Sequence, residues 1–276
     1  MSHVDNQSQI EVADMTRSTA APGRAVALNH ERTVTALGQC PLLTGLAREE
    51  IEGILARSTV QHFPAQRRVF EEGGRSRGAW VVTAGRVRLH HLMADGRQHV
   101  GGFRSPGSVL ELTSALDGRP YMSTATALES SEMVLVPRAL VSELARNYPI
   151  TVRNAIEQLC LEVRQRDITT AIASLKDARG RIGCTLLWLA TQFGVDDGKT
   201  TRIDYRLTRQ DIADRSGVTI ETAIRVMSDL QRRGIIRTHS QIIEILDIEK
   251  MRDPARCEEC QFDCSVFASG TPQLIR

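Results

Sequence analysis

Three cysteines crowd the carboxyl end of the chain, in the run Cys257-Glu258-Glu259-Cys260-Gln261-Phe262-Asp263-Cys264. Short loops of this kind wrap several thiolates around one metal centre, either zinc or an iron–sulfur cluster. Three thiols are one short of a full set, and Cys40, just before Pro41-Leu42, is the candidate fourth. Free thiols, or oxidation to a disulfide, are the plainer alternatives. A second constellation lies upstream. Glu221 and Arg225 are four residues apart, on one face of a helix. Arg can donate two bonds to guanine O6 and N7, and Glu can accept from cytosine N4. The pair therefore suits adjacent base pairs, although a plain surface ion pair has the same spacing.

Two short helices must present that pair. Thr208 caps the first, with Asp211 three residues on as a variant capping box. Gly217 stands where the turn needs positive φ. Thr219 caps the second helix, whose Ala223, Val226, Met227 and Leu230 form a buried face. This is the helix-turn-helix pattern. Two β-rich runs, Ile235-Ile236-Arg237 and residues 241–246, flank Thr238-His239-Ser240 and add a wing. Recognition helices touch bases through their N-terminal turns, which here expose Ile220, Glu221, Ile224 and Arg225. Thr208, Arg209, Thr219 and Arg232 are the phosphate-contact candidates. Net charge is only +2 over 276 residues. Between Lys199 and Arg237, however, nine basic residues face five acidic ones, an excess that suits phosphates.

Composition sets the frame. With 41 % apolar and 25 % charged residues the chain reads as soluble and globular, long enough for two modest domains. No apolar run approaches the ~18 residues of a membrane span, and no signal-peptide core opens the chain. A cytoplasmic location is expected, where the six cysteines read as thiols or ligands before disulfides. No nucleophile–base pair or phosphate loop points to an enzyme.

In order, residues 1–38 read as a disordered leader, rich in Ser, Thr, Asn and Gln. Residues 39–148 alternate short apolar runs with Gly-marked turns, Asp95-Gly96 the strongest, and read as a β-barrel or jelly roll. His90 and His91 alternate faces on one strand, so with His99 they read as surface residues and not a haem set. Residues 149–173 form a long helix. In it Val152, Ile156, Leu159 and Val163 recur every four, three and four residues, a coiled-coil seam that points to a homodimer; packing within one chain would give the same pattern. Cys160 beside the seam and Cys184 in the next helix read as buried small hydrophobes. Residues 174–250 hold the winged helix-turn-helix, with 194–200 as a polar loop, and 251–276 form the cysteine-containing tail.

Thr208-Arg209-Gln210-Asp211-Ile212-Ala213, with Glu221-Thr222 and Arg225, resembles the DNA-binding helices of the Crp/Fnr family of bacterial transcription regulators. Residues 80–87, Trp-Val-Val-Thr-Ala-Gly-Arg-Val, resemble the barrel of the same family, so the likeness spans roughly residues 40–250. It implies an α+β fold: a cyclic-nucleotide-binding-type barrel, a dimerisation helix and a C-terminal winged helix-turn-helix. It also implies base contacts by Glu221 and Arg225, a palindromic double-stranded DNA operator, RNA polymerase as a partner, and no membrane. The Fnr-like branch has Ser where Ile224 stands, which leaves a thymine methyl as the contact for that position. Nucleotide-binding members carry Gly-Glu-Leu after Pro-Gly and then Arg-Ser. Here Glu111 comes one residue early, its Gly is missing, and Arg119 has no Ser beside it, which argues against a cyclic nucleotide. Cys40 resembles the last N-terminal cluster cysteine of the family's oxygen sensors. Their other N-terminal cysteines are absent, and Val134 occupies the place of the later one. The expectation is therefore a redox or gas sensor with an iron–sulfur cluster, [4Fe–4S] in form, on Cys257, Cys260, Cys264 and Cys40. The alternative is a small-molecule sensor whose tail binds structural zinc.

Overall fold

A computed structural model of the chain describes residues 22–260 and 264–267. Its N-terminal half runs α1 (Pro22–Gly38), a 3-10 turn (Pro41–Leu43), α2 (Arg48–Ala56), β1 (Thr59–Phe63), β2 (Arg68–Phe70), β3 (Gly78–Ala84), β4 (Val87–Leu92), β5 (Gln98–Arg104), β6 (Val109–Leu110), α3 (Leu112–Asp117), β7 (Thr124–Ala127) and β8 (Ser131–Pro137). The strands make two four-stranded antiparallel sheets, ordered β1-β8-β3-β6 and β2-β7-β4-β5. Alternation explains why β3 and β8 are apolar on both faces. Trp80, Val82, Met133 and Leu135 point between the sheets, against Phe70 and Val87. Ala79, Val81, Val134 and Val136 point outward under a cover of helices, against Leu37, Ile51, Ile54 and Leu140.

The expected leader is corrected here. Residues 22–38 form α1, because Thr33, Val34 and Leu37 make a stripe that buries against β3. Thr33 Oγ1 donates to the buried Glu132 carboxylate at 2.8 Å, which Thr83 Oγ1 also reaches at 2.8 Å. Residues 1–21 of that leader lie outside the described residues.

α4 (Arg138–Asn147) leads into α5 (Pro149–Leu175), with Pro149 in its first turn, where a missing N–H costs nothing. Most seam positions of α5 are exposed among the described residues. Val152, Ile156 and Val163 are 37, 55 and 66 % exposed, and Leu159 is half-buried.

Beyond α5 come α6 (Ala178–Phe193), β9 (Gly194–Asp196), β10 (Thr201–Ile203), α7 (Arg209–Ser216), α8 (Ile220–Arg232), β11 (Ile236–His239), β12 (Ile242–Ile245) and α9 (Ile248–Ala255). The strands form one sheet, β11-β12-β10-β9. The expected polar loop at 194–200 is therefore half strand. β9 pairs with β10, and the Asp197 carboxylate closes the turn by accepting from the Lys199 and Thr200 amides. Among the described residues no helix is long and apolar enough to cross a membrane.

The two halves share a core. Val100 and Phe103 of β5 sit in one apolar cluster with Leu186, Leu189 and Tyr205. The Phe103 and Tyr205 rings are 5.1 Å apart, and the Arg86 guanidinium lies 5.3 Å from the Tyr205 ring centre. Arg88 Nη1 pairs with Asp211 Oδ1 at 3.0 Å, little exposed on either side.

If α1 is integral, Leu37→Ala should cost about 2–5 kcal/mol of stability through the cavity it leaves. A lower urea midpoint at unchanged slope is the expected result; an unchanged midpoint would mean that α1 is not packed.

Candidate functional site

α7 and α8 are the first candidate. Thr208 Oγ1 accepts from the Asp211 N–H (3.0 Å) and the Asp211 carboxylate accepts from the Thr208 N–H (2.9 Å), completing the capping box. Gly217 takes φ +61° to end α7, and Thr219 Oγ1 accepts from the Thr222 N–H to start α8. Ala223, Val226, Met227 and Leu230 are buried as the spacing requires. Glu221, Ile224 and Arg225 are exposed on the opposite side. Backbone N–H at the α8 N-terminus and the Thr219 hydroxyl hold the Glu221 carboxyl below its ordinary range, and Arg225 is not among the groups that do so. The spacing therefore does not reflect a surface ion pair in this chain. An ionised Glu221 offers only acceptors, which is what a cytosine amino group needs.

Three expected contacts sit differently. Ile220 is half-buried against the core. Arg209 turns inward, donating to Thr238 Oγ1 (3.2 Å) and Gln231 Oε1 (3.5 Å), so it braces the wing against α8. Arg232 is exposed but pairs with Asp229 at 3.1 Å, which Arg179 also holds. Thr208 and Thr219 remain exposed at their helix starts.

The cysteines are the second candidate. Cys257 opens a 3-10 turn (Cys257–Glu259), Cys260 follows it, and Cys264 opens another (Cys264–Phe267). All three line one cavity of about 330 Å³, and the remaining wall includes Ile172 and Ala173 of α5, Cys184 and Trp188 of α6, and Gly217. Among the described residues no three His, Cys, Asp or Glu side chains converge closely enough to share a single metal ion. Cys40 is not brought to this cavity. It is fully buried beside Leu37 and Leu43 on the helix-covered face of β3, where burial pushes its thiol up to about 11. Its neighbourhood of aliphatic side chains gives a ligand no company. Cys160 is exposed on α5, not buried as expected. Cys184 is half-buried, and burial pushes its thiol up to about 12, with Lys176 pulling the other way.

What brings the tail here is close helix packing. A Cβ on Gly183 would lie 2.7 Å from Ala255 Cα, so α6 and α9 touch backbone to backbone. Lys176, just past α5, donates from Nζ to the Ala255 and Arg256 carbonyls and lies 3.7 Å from Cys260 Sγ. No local sequence signal marks Cys184; a glycine beside a cysteine in a helix is the only trace.

A second cavity of about 320 Å³ lies between the barrel and α5, lined by Arg104, Glu111, Glu162 and Arg166 among others. Glu111 is already engaged, accepting from Ser114 Oγ (2.7 Å), Ser123 Oγ and the Met122 amide (both 3.0 Å). Arg119 is exposed beside Asp117. His90 is buried rather than on the surface, because β4 turns that face inward, while His91 pairs with Glu72 at 3.1 Å.

The sequence pattern of the cyclic nucleotide-binding domain matches residues 60–148, and that of the Crp-like helix-turn-helix domain matches 180–253, together more than half of the chain. The chain belongs to the Crp/Fnr family of transcription regulators. Its Crp/Fnr relatives include a protein named CRP-like cAMP-activated global transcriptional regulator from Mycobacterium tuberculosis, 25 % identical over 80 % of this chain and 98 % of that one. The nitrogen fixation regulation protein FixK of Bradyrhizobium diazoefficiens is 29 % identical over 71 % of this chain and 79 % of its own. The solved structure of FixK2 from Bradyrhizobium japonicum shares the fold, with a TM-score of 0.64 at 23 % identity over 71 % of this chain and 96 % of that one. Like other Crp/Fnr regulators, then, this is a DNA-binding protein of a family that typically acts as dimers.

Gly183→Ala should lower stability by about 1–3 kcal/mol, since two helix backbones, not a flexible side chain, must yield. Its alkylation rate at Cys184 should rise as α9 lifts. A variant as stable as the parent, with Cys184 equally shielded, would contradict the close packing.

Proposed function

We propose that this chain is a homodimeric regulator that reads a palindromic operator and responds to redox state or a diatomic gas through an iron–sulfur cluster, [4Fe–4S] in form, held by its C-terminal cysteines. One observation carries the reading: the three tail thiols face a single cavity walled by α5 and by α6 and the turn after α7. The donors are thiols, which once deprotonated are the ligand type that iron–sulfur clusters use. When bound, such a cluster supplies oxidant-sensitive iron at the junction between the dimer helix and the DNA-binding helices.

The chain's own residues supply the rest. The largely exposed stripe of Val152, Ile156, Leu159 and Val163 suits a second copy packed along α5. A two-fold axis there would set two α8 helices on successive major-groove turns. Glu221 and Arg225 read base edges, with Ile224 between them, and RNA polymerase is the expected partner at the promoter. A second reading has support from the cavity beside Glu111: a small molecule bound between barrel and α5, with the tail as a structural zinc clip.

Anaerobic purification followed by metal and sulfide analysis separates the two. The expected result is about four iron and four sulfide per chain; zinc without iron would move the signal to the barrel. For DNA, Arg225→Ala should lose roughly 10- to 100-fold of sequence preference, about 1–3 kcal/mol, whereas Arg209→Ala, by removing the brace between α7, α8 and the wing, should weaken binding to every sequence alike. A titration in which Arg225→Ala kept its preference would remove α8 from the recognition role.

A further inference from the structure

We infer that Cys184 on α6 is the fourth thiolate of the tail's metal centre, in place of Cys40. This rests on the reading of Cys257, Cys260 and Cys264 as metal ligands.

Four of the six cysteines line one cavity, and one of these four comes from outside the tail. Cys184 lines the same cavity as Cys257, Cys260 and Cys264. It stands next to Gly183, the residue whose missing side chain lets α9 press against α6. Its Sγ lies 3.7 Å from the Ala255 carbonyl, two residues before Cys257. The helix that carries it is anchored on both sides, by Ile182 and Leu186 in the core of the DNA-binding domain. Just past Cys264 the tail is tied to the same helix, where Gln192 Nε2 donates to the Phe267 carbonyl. Cys184 is thus the one candidate ligand held in a regular helix of the DNA-binding domain.

The charge around the cavity fits. A centre with four thiolates carries net negative charge, and Lys176, Arg181, Arg215 and Arg252 stand at or around the cavity wall. Apolar Ile172, Leu187, Trp188 and Ile248 fill much of the remainder. The two other cysteines are placed elsewhere, Cys40 in the barrel-side core and Cys160 on the exposed face of α5. Ligation through Cys184 would bind the tail directly to the first helix of the DNA-binding domain, at its hinge with α5.

The test uses the full chain, loaded anaerobically with ferrous iron and sulfide, as the parent and as Cys184→Ser, Cys40→Ser and Cys160→Ser. Cys40→Ser and Cys160→Ser should match the parent in iron content and visible spectrum, while Cys184→Ser should hold iron against a chelator on the order of tenfold less well. Differential alkylation of the parent, read by mass spectrometry, needs no variant to fold. Cys184 should be shielded together with the tail cysteines in the loaded protein and labelled after chelation, with Cys160 labelled in both. A loaded parent in which Cys184 labels freely, or a Cys184→Ser chain that keeps its full iron, would overturn the fourth-ligand assignment and leave the iron–sulfur reading intact. Stoichiometric zinc that Cys184→Ser loses would support the four-thiol site and overturn the iron–sulfur reading. A parent that takes up neither metal would overturn both.

Discussion

A Cβ on Gly183 would sit 2.7 Å from Ala255 Cα, and the whole carboxyl end of the chain depends on that space being empty. Because α6 and α9 meet without side chains between them, Cys257 emerges beside Cys184 instead of a side-chain layer away. Lys176 then fastens the end of α9 to the end of α5. The tail thereby joins α5, the DNA-binding domain and the edge of the barrel at one place. If the tail holds the proposed centre, a change of ligation there would act where α5, α6 and α9 meet.

The barrel is not remote from this joint. Phe103 packs on Tyr205, Arg86 lies over the Tyr205 ring, and Arg88 pairs with Asp211. Asp211 does two things at once: one carboxylate oxygen closes the capping box of α7 and the other binds the barrel. His99, Thr169, Trp188 and Arg215 line both cavities, so the thiol site and the barrel–α5 cleft share a wall. Burial pulls the Arg215 guanidinium down to about 10, and its charge rests 4.6 Å from the Trp188 ring. Packed side chains thus connect both cavities to the start of the helix-turn-helix.

Local patterns made most of the DNA-binding half legible. Thr208 with Asp211, Gly217 at positive φ and Thr219 each act within a few residues, so their spacing alone marks the two helices and the turn. The long helix α5 was legible for the same reason. α1 was not, because its apolar residues follow a run rich in Ser, Thr, Asn and Gln, and the burial of Thr33, Val34 and Leu37 is evident beside β3 alone. Strand β9 was missed because its three residues look like a loop until β10 pairs with them. Cys184 was the largest omission. A cysteine on an amphipathic helix reads as a small hydrophobe, and its partners lie some seventy residues downstream, brought near by helix packing that no spacing rule records. Cys40 misled for the converse reason: its position beside Pro41-Leu42 fits a family pattern, but the aliphatic core around it does not.

The most direct test of the account is a fluorescence-anisotropy titration of one DNA duplex, selected by the protein from a random pool, against a single anaerobic preparation before and after exposure to oxygen. If the tail centre governs the hinge, the dissociation constant should change by roughly 5–150-fold between the two samples, and a chain lacking all three tail cysteines should show no change. Equal affinities before and after exposure, with the metal centre demonstrably lost, would contradict it.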